Sequence, residues 1–311
     1  MRGKKKGVNY SKWGYLFIAP FFISFFIFSL IPLVDTVRYS FYEYYRTGLK
    51  EIGPNFIGLE NYRAILSANL WKYTCNTFIM WLLGFIPQTI VALALASWFT
   101  DLRMKIHGME FFKVVMYMPN LIMASALAML FFTLFTQEGP MNSLLAQIGV
   151  ISAPIKFFVS KEWTRAIVAS LNFLMGFGNT TIMLIAAIMG IDKEIIEVAE
   201  IDGCSSTQVF FHITLPLIRP ILTFIIITSL IGGLQMFDVP QVLTAGKGAP
   251  DRTSMTLIMF LNQHLKAKNY GIAGAISVYI AIISGVLCFI VYHLMEKEPG
   301  GAGRPQKKRL S

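Results

Sequence analysis

Residues 191–220 read IDKEIIEVAEIDGCSSTQVFFHITLPLIRP, a polar interruption between two apolar stretches that are each long enough to cross a membrane. Acidic side chains at Glu194, Glu197, Glu200 and Asp202 open it, Gly203 follows, and Ile213, Leu215 and Pro216 lead back into apolar sequence. The pattern predicts helix, turn, helix. From Glu194 to Ile201 the helical period carries Ile195, Val198, Ala199 and Ile201 toward one side. Gly203 permits the positive φ of a tight turn that a side chain resists. Such a segment is too polar to span a bilayer and too apolar to be a free linker, so it needs a covering partner.

Working outward, 55% of the 311 residues are hydrophobic and only 14% are charged, with the charges gathered in a few places. A span needs about 20 mainly apolar residues at a 1.5 Å rise to cross a ~30 Å hydrocarbon core. Six stretches qualify: 13–34, 74–99, 111–135, 163–190, 218–240 and 271–294. The expected fold class is therefore an all-α membrane protein with six transmembrane helices. The basic start RGKKK precedes a full-length span with no small-x-small cleavage site, so the first segment reads as a retained helix. The amino terminus, the 100–113 and 191–220 loops and the tail hold 15 of the 27 Lys and Arg. Arg2, Lys4, Lys5, Lys6 and Lys12 crowd the first dozen residues, and Lys307, Lys308 and Arg309 are adjacent. By the positive-inside rule both termini and the 191–220 loop face the cytoplasm.

The expected organisation is a basic cytoplasmic amino terminus at 1–12, the first transmembrane helix with an external loop at 13–73, a core at 74–294 and a basic tail at 295–311. Outside the membrane, 36–72 and 136–162 carry short amphipathic-helix patterns suited to caps on the outer face, and 243–277 completes that side.

Several chemistries find no support. Cys75, Cys204 and Cys288 lie far apart, which favours neither a disulfide framework nor a CxxC metal site. His107, His212, His264 and His293 form no HxxxH or HExxH pair. Gly246-Lys247-Gly248 lacks both the leading glycine and the Ser or Thr of a phosphate loop, so this chain does not hydrolyse ATP by that route. The net charge of +10 is explained by basic tails flanking spans, and no nucleic-acid module is visible.

The spacing Glu197, Val198, Ala199, three residues, Gly203, nine residues, Ile213-x-Leu215-Pro216 resembles the EAA loop of ATP-binding-cassette (ABC) importer permeases, with Val198 where a second Ala is usual. The resemblance extends over about 10–295. The aromatic first span with Pro20 and Pro32, the stretch FIGLENY at 56–62, Asn76-Thr77, and Asp251, Arg252 and Thr253 followed by Gly271 to Ala275 are similar to the first membrane subunit of carbohydrate importers. It implies a type I ABC importer permease fold in a bacterial plasma membrane. It also implies a second permease, two ATPase subunits that hold the ATP and Mg, and an extracytoplasmic sugar-binding protein, with no cofactor in this chain. On this resemblance Glu197 makes a polar contact to the ATPase. Val198 and Ala199 give an apolar dock, Asp202 and Gly203 form the turn, and Ile213, Leu215 and Pro216 anchor the loop.

A substrate path is suggested by polar residues inside spans, where they are costly and usually face the bundle interior. Asn172, Gly176 and Asn179 share one helix face. Ser229, Gly233 and Met236 share another, with Gln235 and Asp238 nearby. Amides beside aromatic surface suit a sugar, and Phe173, Phe177 and Phe237 are near enough in sequence to supply it. In maltose-type importers the sugar sits between the helices flanking the EAA loop. Asn172 and Gly176 match residues there, while Asn179, Gly232, Gly233 and Met236 replace other types. The alternatives are that these amides are helix–helix glue and these glycines allow close packing, or that Gly232-Gly233 is a kink. At the level of function the alternatives are a permease for a phosphorylated polyol or another small solute, and a six-helix secondary transporter.

Overall fold

The longest helix is built from Leu70 to Thr100, where 31 mostly apolar residues are interrupted by a few polar side chains. Thr74 and Thr77 return their hydroxyls to the carbonyls of Leu70 and Tyr73 at 2.9 and 2.8 Å, which lets them sit buried in an apolar helix. The computed structural model describes residues 11–296 other than Leu102 and Lys105. The basic terminus and most of the tail lie outside those residues.

Numbered along the chain, α1 spans Trp13–Tyr39. The hairpin strands β1 (Tyr42–Thr47) and β2 (Lys50–Phe56) and the short α2 (Glu60–Ser67) follow. Next come α3 (Leu70–Thr100), the pair α4 (Met109–Leu121) and α5 (Ala124–Leu134), the short α6 (Pro140–Gln147) and α7 (Lys161–Met189). The polar loop contributes α8 (Lys193–Ile201) and α9 (Ser206–Val209), the latter running through a π-helical turn at Phe210–Thr214. Then α10 (Arg219–Leu234), α11 (Asp238–Leu243), α12 (Leu257–Lys266) and α13 (Tyr270–Glu296) complete the chain. Among the described residues five helices are long and apolar enough to cross a membrane, and six if the bent pair α4–α5 is one span.

Three features depart from the sequence expectation. The third stretch, expected as one span over 111–135, bends by 90° between α4 and α5. Pro119 sits in a 3-10 turn at Met118–Leu121, and Ile122 and Met123 are extended, with ψ of 135° and 130°. The bend is held from α7, where Asn120 Nδ2 donates to the Met175 carbonyl at 2.9 Å and Gly178 leaves room for the Met116 carbonyl. The fifth span is also discontinuous: α10 ends at Leu234 and α11 starts at Asp238. The helix stays intact through Gly232-Gly233, so the break is not at the glycines. In the 36–72 segment the helix at 60–67 is accompanied by a β-hairpin that the helical patterns did not suggest; Gly48, with φ +62°, makes its turn.

The chain divides into two compact units. One comprises residues up to Ala68 with Leu261–Tyr279, a stretch that the sequence placed with the core. Its centre is Asn61, whose amide donates to the carbonyls of Ser40 and Tyr42 at 3.0 and 2.9 Å, with Gly271 and Gly274 allowing the last helix to approach that backbone. The stretches FIGLENY and Gly271 to Ala275 thus meet in one unit. Within the hairpin Tyr44 donates to Glu51, which pushes its phenol pKa up.

The other unit, Asn69–Phe260 with the residues from Ile280, is organised on α3 against α7. The helices approach closely at Gly84, where a Cβ would stand 2.9 Å from the Ala169 carbonyl oxygen and 3.3 Å from the Asn172 Cβ. Apolar clusters fill the unit among the described residues. One is around Met80, Leu127, Leu171 and Leu243, and another is around Ala92, Leu184, Ile188 and Ile218.

Candidate coupling loop and central cavity

The 191–220 loop is closed by local chemistry at each joint. Asp192 caps α8, accepting the Glu194 amide at 3.1 Å. At the other end Gly203 takes φ +84°, with the Gly203 amide donating to Glu200 O at 3.0 Å and the Cys204 amide to Ala199 O at 3.0 Å. That is the helix-ending turn for which a glycine is suited. Ser205 and Gln208 then form a reciprocal cap on α9. Asp202 is the residue that closes α8, and it is exposed.

The α8 helix has two unlike faces. Ala199 is 7% exposed, and Ile196 and Glu200 turn with it toward the end of α3, lining a small cavity of about 40 Å³ with Ser97, Thr100 and Asp101. Val198 is 56% exposed and Ile201 84%, with Ile195 alongside and Glu194, Glu197 and Asp202 as an acidic rim. Among the described residues Glu197 has no ion pair. The expected dock therefore divides: Val198 and Glu197 are bare, while Ala199 packs inward. The expected anchors divide too. Ile213 and Leu215 are half-buried and Leu215 packs in the inner cluster, but Pro216 is exposed. Thr214 and Ile218, on either side of Pro216, are buried, and a π-helical turn at Phe210–Thr214 precedes them.

A residue missed in the sequence holds this loop from the side. Arg103, just beyond α3, directs Nε to Glu200 Oε1 at 3.1 Å, Nη1 to Ser206 Oγ at 3.2 Å and Nη2 to the Cys204 carbonyl at 3.1 Å. Its own amide donates to Asp101 Oδ1 at 2.9 Å.

The seven residues singled out inside the spans come together. Asn172, Gly176, Asn179, Ser229, Gly233, Gln235 and Met236 all line one cavity of about 480 Å³. That volume lies in the ~300–1,000 Å³ range of small-molecule sites. The two faces meet across it: Asn172 Nδ2 reaches Met236 Sδ at 3.4 Å, while Asn179 Nδ2 lies 3.9 Å from Met183 Sδ. Thioether sulfur is a weak acceptor, so both amides keep most of their hydrogen-bonding capacity. The unwound backbone between α10 and α11 lines the cavity, with the Met236 carbonyl accepting from Thr256 Oγ1 at 2.8 Å. Irregular backbone at membrane depth is tolerated where it borders such a cavity.

The third wall is α3. Trp81, Phe85 and Gln88 line the same cavity. Trp81 stacks on Phe85 with centroids 5.2 Å apart and donates Nε1–H to Ser229 Oγ at 3.0 Å. A Cβ at Gly233 would run into the Trp81 indole, and one at Gly176 into the Gln88 amide, so these glycines serve close packing. Gln88 Nε2 donates to Thr180 Oγ1 at 2.9 Å. Phe173 and Phe177 stack on each other and lie outside the lining, so the aromatic surface comes from Trp81, Phe85 and Phe237. Asp238 is the one ionisable side chain in the lining. The i, i+4, i+7 spacing of Trp81, Phe85 and Gln88 is the signal that would have found this wall.

At the far end of α3 a second arginine ties down the loop before α12. Arg165 donates to Asn76 Oδ1 at 2.6 Å and, through Nε and Nη2, to the Thr253 carbonyl at 3.0 and 2.8 Å. Asn76 in turn donates to the carbonyls of Arg252 and Met255 at 2.9 and 3.2 Å. Leu257 N–H donates to Thr77 Oγ1 at 3.1 Å.

Residues 108–297, which contain this loop and two walls of the cavity, match the family described as binding-protein-dependent transport system inner membrane component. The chain belongs to that family. Like its relatives, this inner membrane component is a multi-pass permease. It is 28% identical over 283 residues to the lactose transport system permease protein LacF of Rhizobium radiobacter, covering 90% of this chain and 93% of that protein. It is 29% identical over 299 residues to the probable starch degradation products transport system permease protein AmyD of Thermoanaerobacterium thermosulfurigenes, covering 96% and 98%. Its fold is similar to that of a chain in a bacterial ABC transporter involved in the import of the acidic polysaccharide alginate. That match has a TM-score of 0.80 and 22% identity and covers 95% of this chain and 99% of the other. The α3 wall and Arg103 lie before the matched region of the family.

Proposed function

We propose that this chain is a membrane subunit of an ATP-driven importer and carries an uncharged sugar or oligosaccharide, delivered by an extracytoplasmic binding protein, through the 480 Å³ cavity. One observation carries the reading. The two helices joined by the polar loop, α7 and α10, are the ones whose amide, hydroxyl and glycine face lines the cavity. A push on the loop is therefore a push on two walls of the site.

In this reading the bare face of Ile195, Val198 and Ile201, rimmed by Glu194, Glu197 and Asp202, docks on a partner ATPase that supplies ATP and Mg. The chain itself is not a catalyst. A second permease completes the bundle, and two ATPase subunits work beneath it. Both termini and the loop face the cytoplasm, following the lysine and arginine density. Closure of the ATPase dimer swings α8, and with it α7 and α10, to open the cavity outward; hydrolysis returns it inward. Gln88, Asn172, Asn179 and Gln235 supply hydrogen bonds to hydroxyls, while Trp81, Phe85 and Phe237 supply the apolar surface that a pyranose face favours. The relatives' names, which include lactose and starch degradation products, support a sugar as cargo. Among the described residues the lining has no basic side chain, and Asp238 is its one acidic side chain. That disfavours a phosphorylated polyol, whose anion would have no counter-charge.

The test is affinity purification of the tagged chain from its native membrane, mass spectrometry of what accompanies it, and ATPase assays with candidate sugars and the binding protein. Recovery of a second permease and an ATPase whose hydrolysis a sugar-loaded binding protein stimulates is the expected result. A chain that comes out of gentle detergent alone sinks the reading and favours a secondary carrier.

A further inference from the structure

The loop continues directly into α7 and α10, whereas it meets the end of α3, the third wall of the cavity, by packing alone apart from one side chain. We propose that this side chain, Arg103, is a positioning residue that adds a directional link to that packing, so that force on α8 reaches α3 in a fixed register. The inference rests on the reading of the 191–220 loop as the dock of an ATPase.

The geometry is that of a register pin. The three acceptors of Arg103 lie on three successive pieces of the loop: Glu200 at the end of α8, the Cys204 carbonyl in the turn, and Ser206 at the start of α9. A planar guanidinium with fixed donor directions can engage all three at once, whereas a lysine ammonium is a point charge on a flexible stem. The Asp101 carboxylate at the end of α3 accepts the Arg103 amide and fixes where the fork starts. The Arg103 and Glu200 side chains are 44% and 29% exposed. Solvent screens such a pair, so it adds little to stability. What three bonds from one rigid group do is fix orientation. The cavity face of α3 carries Trp81, Phe85 and Gln88. Moving α3 together with α7 and α10 changes all three walls in one step, and without the pin α3 follows through packing alone, with its register less well fixed.

The test uses the assembled transporter in nanodiscs, with Cys75, Cys204 and Cys288 replaced by serine. The Cys204 contact is through its carbonyl and survives the change. Single cysteines are placed at Gln88 on α3 and, separately, at Asn179 on α7. Their labelling by a maleimide is followed with and without ATP and vanadate. In the parent complex both sites respond to nucleotide trapping. In Arg103→Ala the response at position 88 falls about fivefold, the factor corresponding to ~1 kcal/mol at the upper end for an exposed pair. The response at position 179 stays within about twofold on the same scale. Arg103→Lys gives an intermediate loss at position 88 only. A merely structural role would lower both responses and the thermal midpoint together.

Undiminished response at both sites in Arg103→Ala overturns the proposal, and so does equal loss at both, which would place Arg103 in docking itself. If Arg103→Ala does not assemble, Glu200→Gln serves, since it weakens one of the three bonds. It is expected to give a partial loss at position 88 alone, and equal or absent loss there overturns the proposal equally. A parent complex that holds no ATPase instead refutes the functional reading on which the proposal rests.

Discussion

At each end of α3 an arginine helps tie the helix to a neighbouring loop, and the two ties differ in their surroundings. At the Leu70 end, Arg165 works through Asn76, which is 3% exposed, and holds a loop in which Ala245, Asp251 and Arg252 have positive φ. Such residues persist only where neighbours over-determine them. At the Thr100 end, Arg103 reaches a turn whose one positive φ falls on a glycine, and it does so in contact with solvent. Burial makes the first tie a matter of stability. Exposure makes the second a matter of geometry, because water replaces the lost bonds at little cost but does not restore the orientation.

The sharpest way to break the contrast is at the buried tie. Asn76→Leu removes one of the two acceptors of Arg165 and strands the carbonyls of Arg252 and Met255. It is expected to cost about 3 kcal/mol, read as a lower thermal midpoint of the purified chain. A loss no greater than that of Arg103→Ala would erase the distinction between the ends.

Next in size is the cavity between them. Gly233→Leu drives a side chain into the Trp81 indole, whereas a Cβ at Gly232 meets nothing within 4 Å. We expect Gly233→Leu to destabilise by roughly 1–3 kcal/mol and to stop transport, with Gly232→Ala near wild type in both. Equal sensitivity at the two glycines would mean that the kink, not the packing, is what matters.

At the exposed end, Gly203→Val is expected to cost about 1–2 kcal/mol for its backbone conformation alone, since no atom lies within 4 Å of a Cβ there. Gly203→Asn, better suited to that φ, should recover most of it in the same melting experiment. The smallest effect on stability belongs to Arg103→Ala, at about 0–1 kcal/mol. A large shift in its melting point would show that the exposed tie holds up the fold as the buried one does.

Much of the architecture was written in local periodicity. The spans, the helix–turn–helix of 191–220 and the shared faces of Asn172, Gly176 and Asn179 follow from a repeat of 3.6 residues and from the cost of polar groups in lipid. The breaks in helices were not legible in the same way. Pro87 and Pro119 look alike in sequence, yet α3 runs unbroken past Pro87 while the chain turns by 90° after Pro119. The difference lies in distant partners: Asn120 bonds to the Met175 carbonyl, and Gly178 admits the Met116 carbonyl. The α3 wall escaped notice because Trp81 and Phe85 look like ordinary lipid-facing residues until Ser229 and Gly233 are brought against them.

The sequence by itself therefore determined which segments are long and apolar enough to cross a membrane, where the polar loop turns, and which polar residues inside spans share a face, because each depends on neighbours within a few turns. Only the tertiary structure decided that α3 joins α7 and α10 in lining one cavity, that the fifth span unwinds beside it, and that Arg103 and Arg165 act at opposite ends of α3. Those outcomes join residues far apart in the chain, and no local pattern carries the distance between them.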